Sequence, residues 1–209
     1  MRAFDWHRFL LEQRREHGKV LFSSAELANV AGSSPGVMNV QLVRLTKQGV
    51  VRQYARGLYG LPWGVGVESL VRAVDDGAYI TGAYALHRHG LVTQVQHQIV
   101  CFTNRRTGRS RVRNTALGRL VLVCAGKRIY YPPADSVLAS PEQALFDFVF
   151  LCRRDGADPR ALVTLCGAGK LSPALLDDLG PRYPSTVRSD VADLVVETGL
   201  VAGSEAVTT

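Results

Sequence analysis

Cysteine is scarce in this chain and badly spaced for metal or disulfide chemistry. The four present, Cys101, Cys124, Cys152 and Cys166, form no C-x-x-C pair, so neither a zinc site nor a disulfide framework is indicated and reduced, buried thiols are expected. No uninterrupted apolar run approaches membrane-spanning length, and Met1-Arg-Ala-Phe-Asp-Trp-His7 lacks the apolar core of a signal peptide. A cytoplasmic protein with no membrane partner is the expectation. The most telling absence is of acid. Between Gly77 and Ala134 there are nine Lys/Arg and no Asp or Glu, so the net charge of +7 is concentrated rather than evenly spread, and an acidic remainder follows. Such a field has two poles. The same gap weighs against a nuclease, because acid-free central strands offer no carboxylates to hold magnesium.

Catalytic motifs are also lacking. Gly32-Ser33-Ser34-Pro35-Gly36 fits G-x-S-x-G, but a nucleophile elbow must follow a strand, whereas this one lies between two helical patterns with Ser34 explained as a cap. Gly167-Ala-Gly-Lys170 lacks the first glycine of a P-loop and has Leu171 where a magnesium-binding hydroxyl belongs. His87 and His89, two apart on a predicted helix, point to different faces and make no metal pair alone; one is expected partly buried and one exposed. No enzyme, metal or cofactor is expected.

What is present is concentrated in Ser23 to Pro62. Ser24 is placed to N-cap a helix over Ala25 to Ala31, which Gly32-Ser33 breaks. Ser34 with Pro35 at the first helical position starts a second helix, Pro35 to about Gln48, with Gly49 where a left-handed terminal residue is wanted. Val50 to Tyr54 and Gly57 to Leu61 are rich in β-branched and aromatic residues around a basic tip at Arg56, the pattern of a hairpin or wing. The region reads as a winged helix-turn-helix. Met38, Leu42 and Leu45 share the packing face of the second helix at i, i+4 and i+7. The opposite face carries Asn39, Val40, Val43, Arg44 and Lys47. Asn39 suits an adenine edge, the valines thymine methyls, and Arg44 and Lys47 guanine or phosphate, while Arg52 and Arg56 on the wing would grip a neighbouring phosphate or the minor groove. A protein-binding module using Val37, Val40 and Val43 is the alternative for the same face.

A second basic region, Asn104 to Asn114, interleaves Arg105, Arg106, Arg109, Arg111 and Arg113 with Gly, Ser and Thr and is predicted to be an exposed loop or edge. Its forked guanidinium groups fit phosphates or a partner protein's carboxylates equally well. Around it, Gln98 to Thr103, Arg119 to Cys124 and Arg128 to Tyr131 read as β-type runs. Val65 to Asp76 reads as a short helix, and Thr81 as the N-cap of another over Gly82 to His89. Ser140-Pro-Glu142 opens a helix with an apolar stripe at Ala144, Leu145, Phe148, Leu151 and Cys152, and Asp158, Ser172 and Ser185 start three more. The fold class predicted is α+β. A winged helix-turn-helix domain over 1–62 is followed by a mixed α/β domain over 63–209 with a helical C-terminal third.

Three segments, Arg56-Gly-Leu-Tyr-Gly-Leu-Pro62, Tyr79-Ile-Thr-Gly-Ala-Tyr-Ala-Leu-His-Arg-His-Gly-Leu91 and Ser140-Pro-Glu-Gln-Ala-Leu-Phe-Asp147, in that order, resemble the AbiEi antitoxins of type IV toxin-antitoxin and phage-defence systems. The resemblance spans roughly Phe22 to Leu165. It implies a winged helix that represses its own operon and a second domain needed to counter a cognate nucleotidyltransferase toxin. The partners implied are operator DNA with inverted repeats, bound as monomer or dimer, and that toxin. A transcription regulator with a ligand-sensing second domain and a toxin-binding antitoxin without DNA activity share parts of this pattern.

Overall fold

The computed structural model describes residues 1–94, 97–105 and 112–198. They form two compact units, Met1–Asp76 with Arg113–Arg119, and Gly77–Val112 with Leu120–Thr209. The first unit thus runs past residue 62, the expected boundary, and recruits a short piece from far along the chain. The architecture is mixed α+β.

The first unit opens with α1 (Ala3–His17) and β1 (Leu21–Ser23), continues through α2 (Ser24–Ala31) and α3 (Pro35–Lys47), then β2 (Arg52–Ala55), β3 (Leu58–Gly60) and α4 (Val67–Val74). Neither α1 nor β1 was predicted. The helix was legible, since Trp6 and Leu10 lie one turn apart and Gly18 ends it in the left-handed region at φ 63°. α2 starts one residue earlier than expected. Ser23 caps it, accepting from the Glu26 amide while the Glu26 carboxylate accepts from the Ser23 amide, a reciprocal box that satisfies two otherwise orphaned donors. α3 begins as predicted, on Ser34 with Pro35 behind it, and Gly49 has φ 71°.

Strands β1, β3 and β2 form an antiparallel sheet in that order, with Phe22 opposite Tyr59 and Gln53 opposite Tyr59, and a register shift between Gln53 and Ala55. The core of this unit gathers Trp6, Leu10, Phe22, Leu27, Met38, Leu42, Leu45 and Leu61 from helices and sheet. A full burial of each large apolar side chain contributes about 1.5–3 kcal/mol, so this cluster, not helix propensity, holds α3. A smaller cluster under the ribbon joins Leu21, Tyr54, Ala55 and Leu70 to Ala116 and Leu117. The Ala116 amide donates to the Tyr54 carbonyl at 2.8 Å, which explains why Arg113–Arg119 groups here.

The second unit contains β4 (Tyr79–Thr81), α5 (Gly82–Arg88), β5 (Gln98–Thr103), β7 (Gly118–Cys124, from Leu120 on) and the helices α6 (Pro141–Arg154), α7 (Pro159–Leu162), α8 (Pro173–Leu179) and α9 (Ser185–Glu197). Within this unit the strands lie in the order β4-β5-β7, and β6 (Val112–Thr115), which belongs to the first unit from Arg113 on, precedes β7 in the chain. β5 spans the residues predicted for it. Arg128 to Tyr131 is not a strand. The amides of Ile129 and Tyr130 both donate to the Gly126 carbonyl, closing a turn instead. β4 borders the segment around Leu138, whose neighbours Val137 and Ala139 exchange backbone bonds with Ile80. α6 is capped by Ser140 as expected, but it is buried well beyond one stripe, including Glu142, Gln143 and Asp147. α9 is preceded by Pro184 in the capping position, with Ser185 its first helical residue. Among the described residues no helix is long and apolar enough to cross a membrane.

Candidate nucleic-acid interface

The turn between α2 and α3 is fixed by Gly32 in the left-handed region and by the Ser33 amide donating to the Ala28 carbonyl. α3 then lies with Met38, Leu42 and Leu45 turned into the core, each at most 3 % exposed. Asn39, Val40, Val43, Arg44 and Lys47 are all exposed, so the five residues expected on one outward face are there. Val37, Val40 and Val43 are 55–60 % exposed. No Asp or Glu occurs in α3, and its basic residues Arg44 and Lys47 sit in the last turn, where the helix dipole favours cations.

The α1 N-terminus extends this face in a way that the sequence did not suggest. Gln41 Nε2 donates to the Met1 carbonyl at 2.8 Å, and Phe4 is 72 % exposed. Its exposure follows from α1 itself, because its neighbours Ala3 and Trp6 take the inward positions.

The ribbon is less free than the helix. Arg52 is exposed, yet one of its amino groups donates to the Ala116 carbonyl at 3.2 Å and its guanidinium lies over the Tyr54 ring at 5.5 Å. Arg56 is exposed in the turn between β2 and β3, beside Gly57 at φ 76°. Tyr54 anchors the ribbon: it is 2 % exposed and its hydroxyl donates to the Leu61 carbonyl at 2.7 Å.

The second basic region divides. Arg105 is exposed and belongs to the second unit, whereas Arg113 is half-buried in the first, with an Nε that has no hydrogen-bond partner among the described residues. Arg106, Arg109 and Arg111 lie outside the described residues. The thiols also depart from expectation in part: Cys101 and Cys152 are buried, but Cys124 is exposed and Cys166 half-buried. His87 and His89 are both half-buried, facing the carbonyls of Val92 at 3.3 Å and Ala139 at 2.7 Å. No grouping of His, Cys, Asp or Glu suited to a metal occurs among the described residues.

No protein-family model and no curated protein matches the chain.

A polar centre with no motif of its own lies inside the second unit. Asp147 is fully buried on α6, where Oδ2 accepts from Thr81 Oγ1 at 2.7 Å and Tyr79 Oη at 3.2 Å, and Oδ1 accepts from Tyr183 Oη at 2.7 Å. Burial pushes its pKa up to about 7, opposed by the three hydroxyl bonds. Burial likewise raises the Tyr79 and Tyr183 phenols, with the nearby carboxylate adding to the effect. Thr81 sits at the N-cap position of α5, but its hydroxyl serves Asp147 and makes no cap bond. The apolar positions of Ser140 to Asp147 give no hint of this network. The centre ties α6 to β4 and to the turn before α9, and it is enclosed rather than open to a substrate.

Proposed function

We propose that the chain is a DNA-binding antitoxin of a type IV-like system, which autorepresses its operon through the first unit and counters a nucleotidyltransferase toxin through the second. The observation that carries the DNA half is the exposed, acid-free face of α3, presented between a tight turn and a basic antiparallel ribbon. The order α1-β1-α2-α3-β2-β3 with a β1-β3-β2 sheet supports a winged helix-turn-helix reading, in which α3 enters the major groove and the ribbon tip meets the adjoining backbone. Asn39, Arg44 and Lys47 are the polar readers, and Arg56 is the freer of the two wing arginines. The antitoxin half rests on the resemblance of Arg56–Pro62, Tyr79–Leu91 and Ser140–Asp147 to AbiEi antitoxins. The hydrogen bonds of Asp147 to Tyr79 and Thr81 support reading the last two segments as one unit.

Gel-shift titration of the chain on its own upstream DNA tests the first half. Replacing Arg44 and Lys47 together by alanine is expected to weaken binding and leave the fold intact, since both are exposed. Where one of them reads a guanine edge, its removal relaxes specificity at that position by about 1–3 kcal/mol. Unchanged affinity removes α3 as the reader. Co-expression with a cognate nucleotidyltransferase toxin, from a promoter the chain does not repress, tests the second half: relief of growth arrest is expected.

A regulator with a ligand-sensing second unit is the competing reading, favoured by a cavity of about 370 Å³ lined by Phe146, Leu176, Val191 and Val195 with Asp177 and Arg188 as its charged residues. That volume lies within the range of small-molecule sites.

A further inference from the structure

We infer that the α3 face selects duplex DNA by its thymine methyl groups, with Val37, Val40 and Val43 as the specificity-determining residues; this rests on the DNA-binding reading above. Three valines at 60, 55 and 56 % exposure on one helix serve neither packing nor helix formation. Valine loses side-chain freedom in a helix, and a solvent-facing position is better filled by alanine, lysine or glutamate. Their role is therefore toward something that meets the face. Polar readers flank them, with Asn39 on the same side and Arg44 and Lys47 toward the C-terminal turn.

Among partners, a second copy of this chain fits poorly. A two-fold contact with antiparallel α3 helices sets Arg44 and Lys47 beside the partner's N-terminal turn, the positive end of its dipole, and a parallel one sets them against each other, with no carboxylate on that helix to answer either. Duplex DNA answers both properties at once, because its phosphates neutralise the flanking cations and its major groove admits a helix. Within that groove the C5-methyl of thymine is the apolar group on the unmodified base edges. Three spaced valines match a tract of T·A pairs, and Asn39 suits the adenine edge of the same pairs. A G·C tract presents these side chains with polar edges alone, so each valine would strip water from an acceptor or donor without replacing its bond.

Burying one methyl against a valine contributes about 0.8 kcal/mol, which is about fourfold in Kd. The experiment uses the full chain and a random-sequence duplex library at fixed salt. Retained duplexes are expected to carry T·A pairs at the centre of the selected site. One selected duplex is then resynthesised with deoxyuridine for thymidine, one position at a time, which removes the methyl and preserves every hydrogen-bonding edge. A drop of about fourfold in affinity at each of two or three positions is the expected result, and the Val37→Ser, Val40→Ser, Val43→Ser chain, which has no side-chain methyl at these positions, is expected to lose the distinction between thymine and uracil. Equal affinity for the thymine and all-uracil duplexes overturns the methyl reading while leaving DNA binding intact. Failure to retain any duplex overturns both, and self-association of the free chain that these serine substitutions abolish reassigns the valines to a second copy.

Discussion

Asp147 makes the second unit sensitive to pH in a direction opposite to most carboxylates. Its pKa in the folded chain is raised to about 7 from a reference of 3.8, first by burial and against the pull of three hydroxyl donors. A raised carboxyl pKa means that the folded state holds a proton which the unfolded state has already released. The stability contributed by neutral Asp147 is therefore fully present below about pH 4, is lost as pH rises from about 4 to about 7, and is flat above that. With about 1.4 kcal/mol per pKa unit, the full span is about 4 kcal/mol, of which about 3 falls between about pH 4.5 and about pH 7.5. Asp147→Asn keeps the shape and removes the titration. Hydrogen exchange of the α6 amides, measured on both chains at the two pH values, isolates the second unit from the first. Wild type should lose about 3 kcal/mol more protection than D147N across that interval, after correction for intrinsic exchange rates. Parallel pH dependence in the two chains refutes the account, and so does a wild-type loss on the acid side instead. Asp147→Ala should destabilise at both pH values, because it strands three buried hydroxyls at about 1–3 kcal/mol for an unsatisfied group.

In the first unit, Gly60→Ala should destabilise strongly, because a Cβ there would stand 2.3 Å from the Val20 carbonyl oxygen; denaturation followed by the fluorescence of Trp6 and Trp63, both in this unit, reads it, and a wild-type midpoint refutes the clash. Met38→Ala removes a side chain with no exposure and should cost about 2–5 kcal/mol in the same assay. Ser34→Ala deletes the cap that accepts from the Val37 amide and should cost about 1 kcal/mol, enough to separate a loose α3 from a reading defect in DNA titrations. Maleimide should label Cys124 in the native chain well before Cys101 or Cys152, and equal rates contradict the burial of those two thiols.

Much of the local structure was legible because its signals are local. Ser34-Pro35, Gly49, Ser140-Pro141 and the β-branched and aromatic run from Gln98 to Thr103 each specify an element with residues within one turn or one strand of it. The outward face of α3 followed from the period of Met38, Leu42 and Leu45 alone, since a core face at 3.6 residues per turn fixes its opposite. α1 went unpredicted although Trp6, Leu10 and Gly18 signalled it with equally local chemistry. Arg128 to Tyr131 had strand-type residues, but the Ile129 and Tyr130 amides turn back to the Gly126 carbonyl, and strand propensity is settled by context. Other facts had no local trace. Ala116 joins the first unit from some sixty residues away because its amide donates to the Tyr54 carbonyl, a hydrogen bond of about 1 kcal/mol that no periodicity encodes. Asp147, on an apolar helix, resembles any solvent-facing polar residue until Tyr79, Thr81 and Tyr183 arrive from separate segments. Sequence by itself determined which residues start, stop and line the helices, because those choices are made by backbone groups and side chains a few residues apart. Only the tertiary structure decided that a carboxyl would be sealed inside, because its burial is tolerable just where distant hydroxyls converge to replace water.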